Sequence, residues 1–193
     1  TDDARINLSK DYAKAIRTAD PDSYIILEHW GNDGEVSQYV RDGMHPWKKM
    51  HSEYCEAAMG WGGSKADVSG THKYLDSTWG ATGWVTFMES HDEERMMASA
   101  EAYGTDMVKA SYELRLDRAG INAAFFLLTP GPKMIWQFGE LGYDYSIEYN
   151  GRTGKKPWMT DSYLADQNRK GLYDTYSMLL EFRGDNPRFF DSD

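Results

Sequence analysis

Three short apolar runs, each ending in acid or amide groups, constrain the fold of this chain most. Tyr24-Ile25-Ile26-Leu27 ends in Glu28. Trp84 to Met88 runs into Glu89-Ser90-His91-Asp92-Glu93-Glu94. A third run ends at Trp136 and meets Gln137, Gly139 and Glu140. Runs this short and apolar read as strands buried on both faces, the pattern of parallel sheets. Polar groups at their C-terminal ends place the chemistry where parallel barrels carry it. Two of the carboxylates, Glu28 and Asp92, are then expected to converge on one pocket.

The rest of the chain alternates around these runs. Leu8, Tyr12, Ala15, Ile16 and Ala19 recur at helical spacing with Ser9 as a cap, and Asp20-Pro21-Asp22 stops that helix. A short helical patch follows near Val36 to Val40, then a weaker strand at Gly43 to Trp47 and a helix from Lys49 to Met59. Trp61 to Gly83 is rich in Gly, Ser, Thr and Asp and reads as a long loop. After the strand at Trp84 to Met88, a helix is expected over Met107 to Ala119 and on through Phe125. Thr129-Pro130-Gly131-Pro132 breaks it. Lys133 to Trp136 is the fourth strand, Gly139 to Asp161 a loop, and Gln167 to Phe182 a closing helix with Leu172, Tyr176, Leu179 and Leu180 on one side. Alternating elements imply parallel strands joined by right-handed crossovers. Four strands make half a barrel, and 193 residues fall short of the roughly 250 of a complete one.

Composition excludes several classes of function. A net charge of −10 argues against nucleic acid or an anionic membrane as partner, since both require basic patches. Seven Trp, thirteen Tyr and seven Phe are a surplus of flat rings suited to sugar faces, although most belong to the core. The single cysteine, Cys55, permits no internal disulfide and reads as a buried thiol on a helix. The five His residues lack metal-ligand spacing, so no metal site is expected. No phosphate loop, no nucleophilic serine elbow and no membrane-length apolar run is present.

Two groups stand out chemically. A carboxyl at Glu28, at the end of an apolar strand, is expected on a dry rim, where desolvation favours a general acid. His91-Asp92 at a strand end suits the holding of sugar hydroxyls and the stabilising of positive charge. Alternatively, Asp92 caps a helix beginning near Glu93. Glu89, Glu93 and Glu94 read as solvated or structural, with Arg95 pairing with one of them.

Taken together, these segments resemble the α-amylase superfamily of glycoside hydrolases and transglycosylases. Ile26-Leu27-Glu28 resembles the fifth barrel strand with its general acid. Glu89-Ser90-His91-Asp92 resembles the seventh-strand motif, and Pro130 to Glu140 the eighth strand with its Gly-Glu ending. Tyr149 to Pro157 resembles the loop that follows. The match runs over nearly the whole chain, in order.

The resemblance implies a partial (β/α)8 TIM barrel, strands 5 to 8 with their helices, so that residues 1–193 form the C-terminal half of a catalytic barrel. It implies the two-carboxylate retaining mechanism. Glu28 is then the acid/base, Asp92 the carboxylate that stabilises the transition state, and His91 a ligand of the same sugar. Trp30 and Trp136 are candidate stacking rings. The family's nucleophile lies in a Gly-x-Arg-x-Asp-like segment on the fourth strand, and no such segment occurs here. The expectation is that the first four strands, the nucleophile and any following β-sandwich lie outside these residues, and that the fragment alone is inactive.

No cofactor is implied within the chain, and calcium only in the full-length parent. The implied substrate is an α-1,4-glucan such as starch, glycogen or a malto-oligosaccharide. The alternatives are a 1,4-α-glucan branching enzyme, a non-catalytic glucan-binding module, and a half-barrel that self-associates through exposed edges.

Overall fold

A computed structural model describes residues 2–75 and 83–190. Part of the long loop expected over Trp61 to Gly83 therefore lies outside the described residues. Four strands, β1 (Ile25–Leu27), β2 (Met44–Lys49), β3 (Val85–Phe87) and β4 (Lys133–Met134), form one sheet in the order β1-β2-β3-β4. Every pairing is parallel, with Ile25 opposite Met44, Trp47 opposite Val85 and Phe87 opposite Met134. The sheet is the α/β half-barrel that the alternating pattern predicts. Because all four strands run the same way, their C-terminal ends share one rim.

Helices α1 (Asp2–Ala19) and α2 (Asp33–Arg41) serve β1 and β2, and α3 (His51–Met59) follows β2. Between β3 and β4 the chain forms α4 (Met96–Tyr103), α5 (Asp106–Ala110) and α6 (Tyr112–Leu127). The helix expected from Met107 onward is thus divided. Gly104 and Thr105 separate α4 from α5, and Ser111 caps α6 by accepting from the Leu114 N–H at 3.1 Å. Two further helices, α7 (Asp161–Ala165) and α8 (Gln167–Asp185), close the chain. Asp166 caps α8 through Asn168 N–H and Arg169 N–H, at 2.8 and 3.1 Å.

Two main apolar cores result, beside a minor cluster of Leu141, Tyr143 and Tyr163. The larger packs Tyr54, Met88, Met97, Leu116, Phe126, Leu172 and Tyr176 among α3, α4, α6 and α8. The smaller joins Ile6 and Ala13 of α1, Ile25 of β1, Tyr39 of α2 and Met44 of β2. Beside the smaller core, the buried Glu35 carboxylate accepts from Arg5 at 3.1 and 2.9 Å and from the Tyr39 hydroxyl at 2.9 Å. The Arg5 guanidinium holds the Glu35 carboxyl down at about 2.

Three sequence expectations need correction here. Helix α1 begins at Asp2, so Ser9 lies inside it rather than capping it. Its periodic residues Leu8, Tyr12 and Ile16 are exposed, because the face turned to β1 and α2 carries Ile6 and Ala13 instead. Leu180 of α8 is likewise exposed, unlike Leu172, Tyr176 and Leu179. Cys55 behaves as expected. It is buried in the larger core, and desolvation pushes its thiol up to about 12.

Candidate active site at the C-terminal rim

Strand β1 delivers Glu28, β2 delivers Trp47 and Lys49, and the exit from β3 delivers Ser90 to Glu93. Glu28, Trp30, Trp47, Lys49, Ser90, Asp92 and Glu93 line one cavity of about 300 Å³. The Glu28 carboxylate Oε1 stands 3.5 Å from His91 Nε2. The structure thus brings together all four residues singled out in the sequence, with Trp30 packed edge-on against Phe87 at 6.4 Å. His91 sits between two indoles, Trp47 at 6.0 Å and Trp136 at 6.1 Å, which restrict its ring.

The expected dry rim at Glu28 is absent. Its side chain is 49 % exposed, in keeping with the outer position of β1 in the sheet. The helix-cap alternative for Asp92 is also set aside. Helix α4 begins at Met96, and its first N–H donates to Glu89 Oε1 at 2.6 Å. Glu89 is buried and paired with Arg95 at 3.1 Å, so this acid is structural and is Arg95's partner. Glu93 is committed to Lys49 and to the Ser90 hydroxyl.

Asp92 has a partner that sequence reasoning missed. Arg152 Nη2 donates to Asp92 Oδ1 and to the Asp92 carbonyl, each at 2.7 Å. No local signal announces this contact, since the residues are sixty positions apart in the sequence. The loop carrying Arg152 is shaped by its own chemistry. Asn150 and Gly151 adopt left-handed backbone at φ 57° and 79°, and Lys156 Nζ donates to Tyr149 O at 2.8 Å. Glu94, a second acid of the same motif, fixes the loop's entry by accepting from Ser146 Oγ at 2.6 Å and Ile147 N–H at 2.8 Å. The β3 exit therefore grips this loop at two points.

The Arg152 guanidinium holds the Asp92 carboxyl below the usual carboxylate range. A folded-state pKa below the unfolded value makes the pair stabilising above the ordinary Asp pKa of about 3.9, and this is lost as pH falls through the lowered value. Both side chains are largely solvated, so the effect on stability is small. The expected result of Arg152→Gln is an upward move of the Asp92 titration, read by carbon-detected NMR. An unmoved titration would remove Arg152 as the cause.

Among the described residues no cluster of three or more His, Cys, Asp or Glu is arranged to hold a metal ion. No described helix is long and apolar enough to cross a membrane.

No protein-family model matches the sequence, and no curated protein resembles it in sequence. Solved structures do resemble it in fold. An α-amylase from H. orenii superposes with a TM-score of 0.63 at 20 % identity, over 97 % of this chain and 41 % of that one. The chain has an α-amylase-type half-barrel fold. A cyclic α-maltosyl-(1→6)-maltose hydrolase from Arthrobacter globiformis, solved with that sugar, gives a TM-score of 0.58 at 16 % identity, over 90 % of this chain and 37 % of that one. An Anoxybacillus pullulanase complexed with maltotetraose gives 0.62 at 13 %, over 90 % and 28 %. The half-barrel spans less than half the length of each of these three proteins.

Proposed function

We propose that this chain is the acid/base-bearing half of a retaining α-glucan hydrolase barrel that cleaves α-1,4-glucosidic bonds. The observation that carries the reading is the convergence of Glu28, His91, Asp92 and Trp30 on the C-terminal rim of a parallel sheet. Glu28 protonates the leaving glycosidic oxygen and then activates the attacking water. Asp92, kept ionised by Arg152, holds sugar hydroxyls and favours the oxocarbenium-like form. His91 donates to the same sugar, and Trp30 stacks on a ring.

The nucleophilic carboxylate of such a site is assigned to the remaining strands of the barrel, as is any calcium. Helix α1 supports this, since Asp2 and Asp3 lie on its first turn rather than on a strand. If a sugar hydroxyl replaces water as acceptor, the same residues serve a branching enzyme, and new 1,6 linkages among the products would show it. The outward Leu8, Tyr12 and Ile16 of α1 and the outer position of β1 in the sheet support association through that flank, with a second copy or with the rest of the barrel.

The test is product analysis with maltoheptaose. The 193-residue chain alone is expected to yield no shorter or rearranged oligosaccharides. Addition of a polypeptide supplying the missing strands is expected to restore turnover. Turnover by the chain alone would place a nucleophile within these residues and overturn the half-site assignment.

A further inference from the structure

Beyond β1 the chain sends neighbouring side chains in different directions. Glu28 and Trp30 line the rim cavity, whereas His29, between them, turns to α2. The His29 ring meets Tyr39 edge-on at 5.2 Å, and its Nε2 stands 3.1 Å from Glu35 Oε1. That nitrogen is buried and has no aligned hydrogen bond among the described residues, so the Glu35 carboxylate is the polar group that faces it.

Glu35 is a fixed point. It is 2 % exposed, and its carboxylate is already held by Arg5 of α1 and by the Tyr39 hydroxyl. One buried acid thereby ties the β1 exit to both helices of the flank. The backbone closes on the same pair. A Cβ at Gly31 would fall 2.8 Å from Glu35 Oε2 and 2.8 Å from His29 Nε2, and the tethered carboxylate cannot swing aside cheaply. Asn32 then starts α2, its Oδ1 accepting from the Glu35 N–H at 2.9 Å.

Glu28 has no comparable support of its own. It is half-exposed, and among the described residues its carboxylate pairs only with His91, at 3.5 Å. Where it points is therefore set by the backbone beneath it, and that backbone is pinned at His29 and Gly31. A reacting group misplaced by about 1 Å can lose roughly 10²-fold in rate. The pin thus bears on chemistry as well as on stability.

We propose that His29 is the positioning residue of the acid/base: seated on the buried Glu35 carboxylate, it fixes the backbone from which Glu28 faces His91. The role rests on the acid/base reading of Glu28 above, whereas the geometry it requires is measurable without turnover.

The test follows the ring nitrogen resonances of His91 by NMR in the 193-residue chain. With His29 in place, Glu28→Gln is expected to move them, since it neutralises a carboxylate 3.5 Å away. In a His29→Ala background the same change is expected to move them about half as much or less. In His29→Gln the response should be nearly restored, because the amide N–H still reaches Glu35. Gly31→Ala keeps every partner but wedges a methyl group against Glu35 and His29, and is expected to act like His29→Ala should that variant fail to fold. Far-ultraviolet spectra verify the fold of each. In the assembled barrel, His29→Ala is expected to lower kcat roughly ten- to hundredfold with KM near wild type, which a purely structural residue would not do to the folded fraction. An undiminished His91 response in the folded variants, or no response with His29 in place, would overturn the positioning role. Absence of turnover by the wild-type barrel would remove the acid/base reading, and the resonances would still decide whether His29 places Glu28.

Discussion

Replacing Glu28 by glutamine is expected to lower turnover of an α-1,4-glucan by about 10²- to 10⁴-fold in the assembled barrel, the range attributed to a positioned general acid. The amide keeps the size of the side chain and its place at the end of β1, so sugar affinity measured by calorimetry should change little. That separation is the informative part. Glu28 stands 3.5 Å from His91 on a half-exposed rim, and the proposed reading assigns proton transfer to the one and sugar holding to the other. Turnover that survives Glu28→Gln would leave the residue as a hydroxyl acceptor and favour a binding module over an enzyme. A collapse of both turnover and affinity would instead make Glu28 an anchor for the ligand.

The largest stability effect is expected at Glu89, which lies in the same motif but has a different task. Its carboxylate is 5 % exposed, takes the Met96 N–H at the start of α4, and pairs with Arg95, itself 6 % exposed. Arg95 in turn stacks on Tyr143 at 4.8 Å and on Trp136 at 5.9 Å. Glu89→Ala strands a buried guanidinium and an unsatisfied N–H, at a cost of about 3–5 kcal/mol. That is a large share of the 5–15 kcal/mol that typically holds a domain together. The urea midpoint should fall with little change in slope. Glu89→Gln should cost less, because the amide oxygen still accepts the Met96 N–H. If Glu89→Ala unfolds at the wild-type midpoint, the buried pair is not part of the stabilising framework.

The two carboxylates show what was legible in the sequence. Glu28 and Asp92 were readable because short apolar runs mark parallel strands, and parallel strands place their C-terminal ends on one rim. Glu89 and Asp92 sit three positions apart in one polar cluster, and nothing local says which is buried. The fold decides, by starting α4 at Met96 rather than near Glu93. Arg152 escaped notice for a related reason, since its contact with Asp92 depends on how a loop sixty residues away is bent. Periodicity also misled at α1. Leu8, Tyr12 and Ile16 form a proper helical stripe, but a stripe specifies a face and not what that face meets. The division of α5 from α6 was hidden because Ser111, a single polar residue, separates two stretches of helical composition.

The separation of the two main apolar cores has a consequence for how the molecule breathes. The smaller core holds α1, β1 and α2, and it meets the rest of the protein chiefly through β2, whose Met44 faces it while Trp47 pairs with β3. A flank held by few buried side chains opens at lower free energy than the body beside it. Glu28 rides on that flank, whereas His91 and Asp92 ride on the body. Opening of the flank between β1 and β2 would carry Glu28 away from His91 while parting Ile25 from Met44 in the smaller core, so the Glu28–His91 contact tracks the closure of a single outer strand.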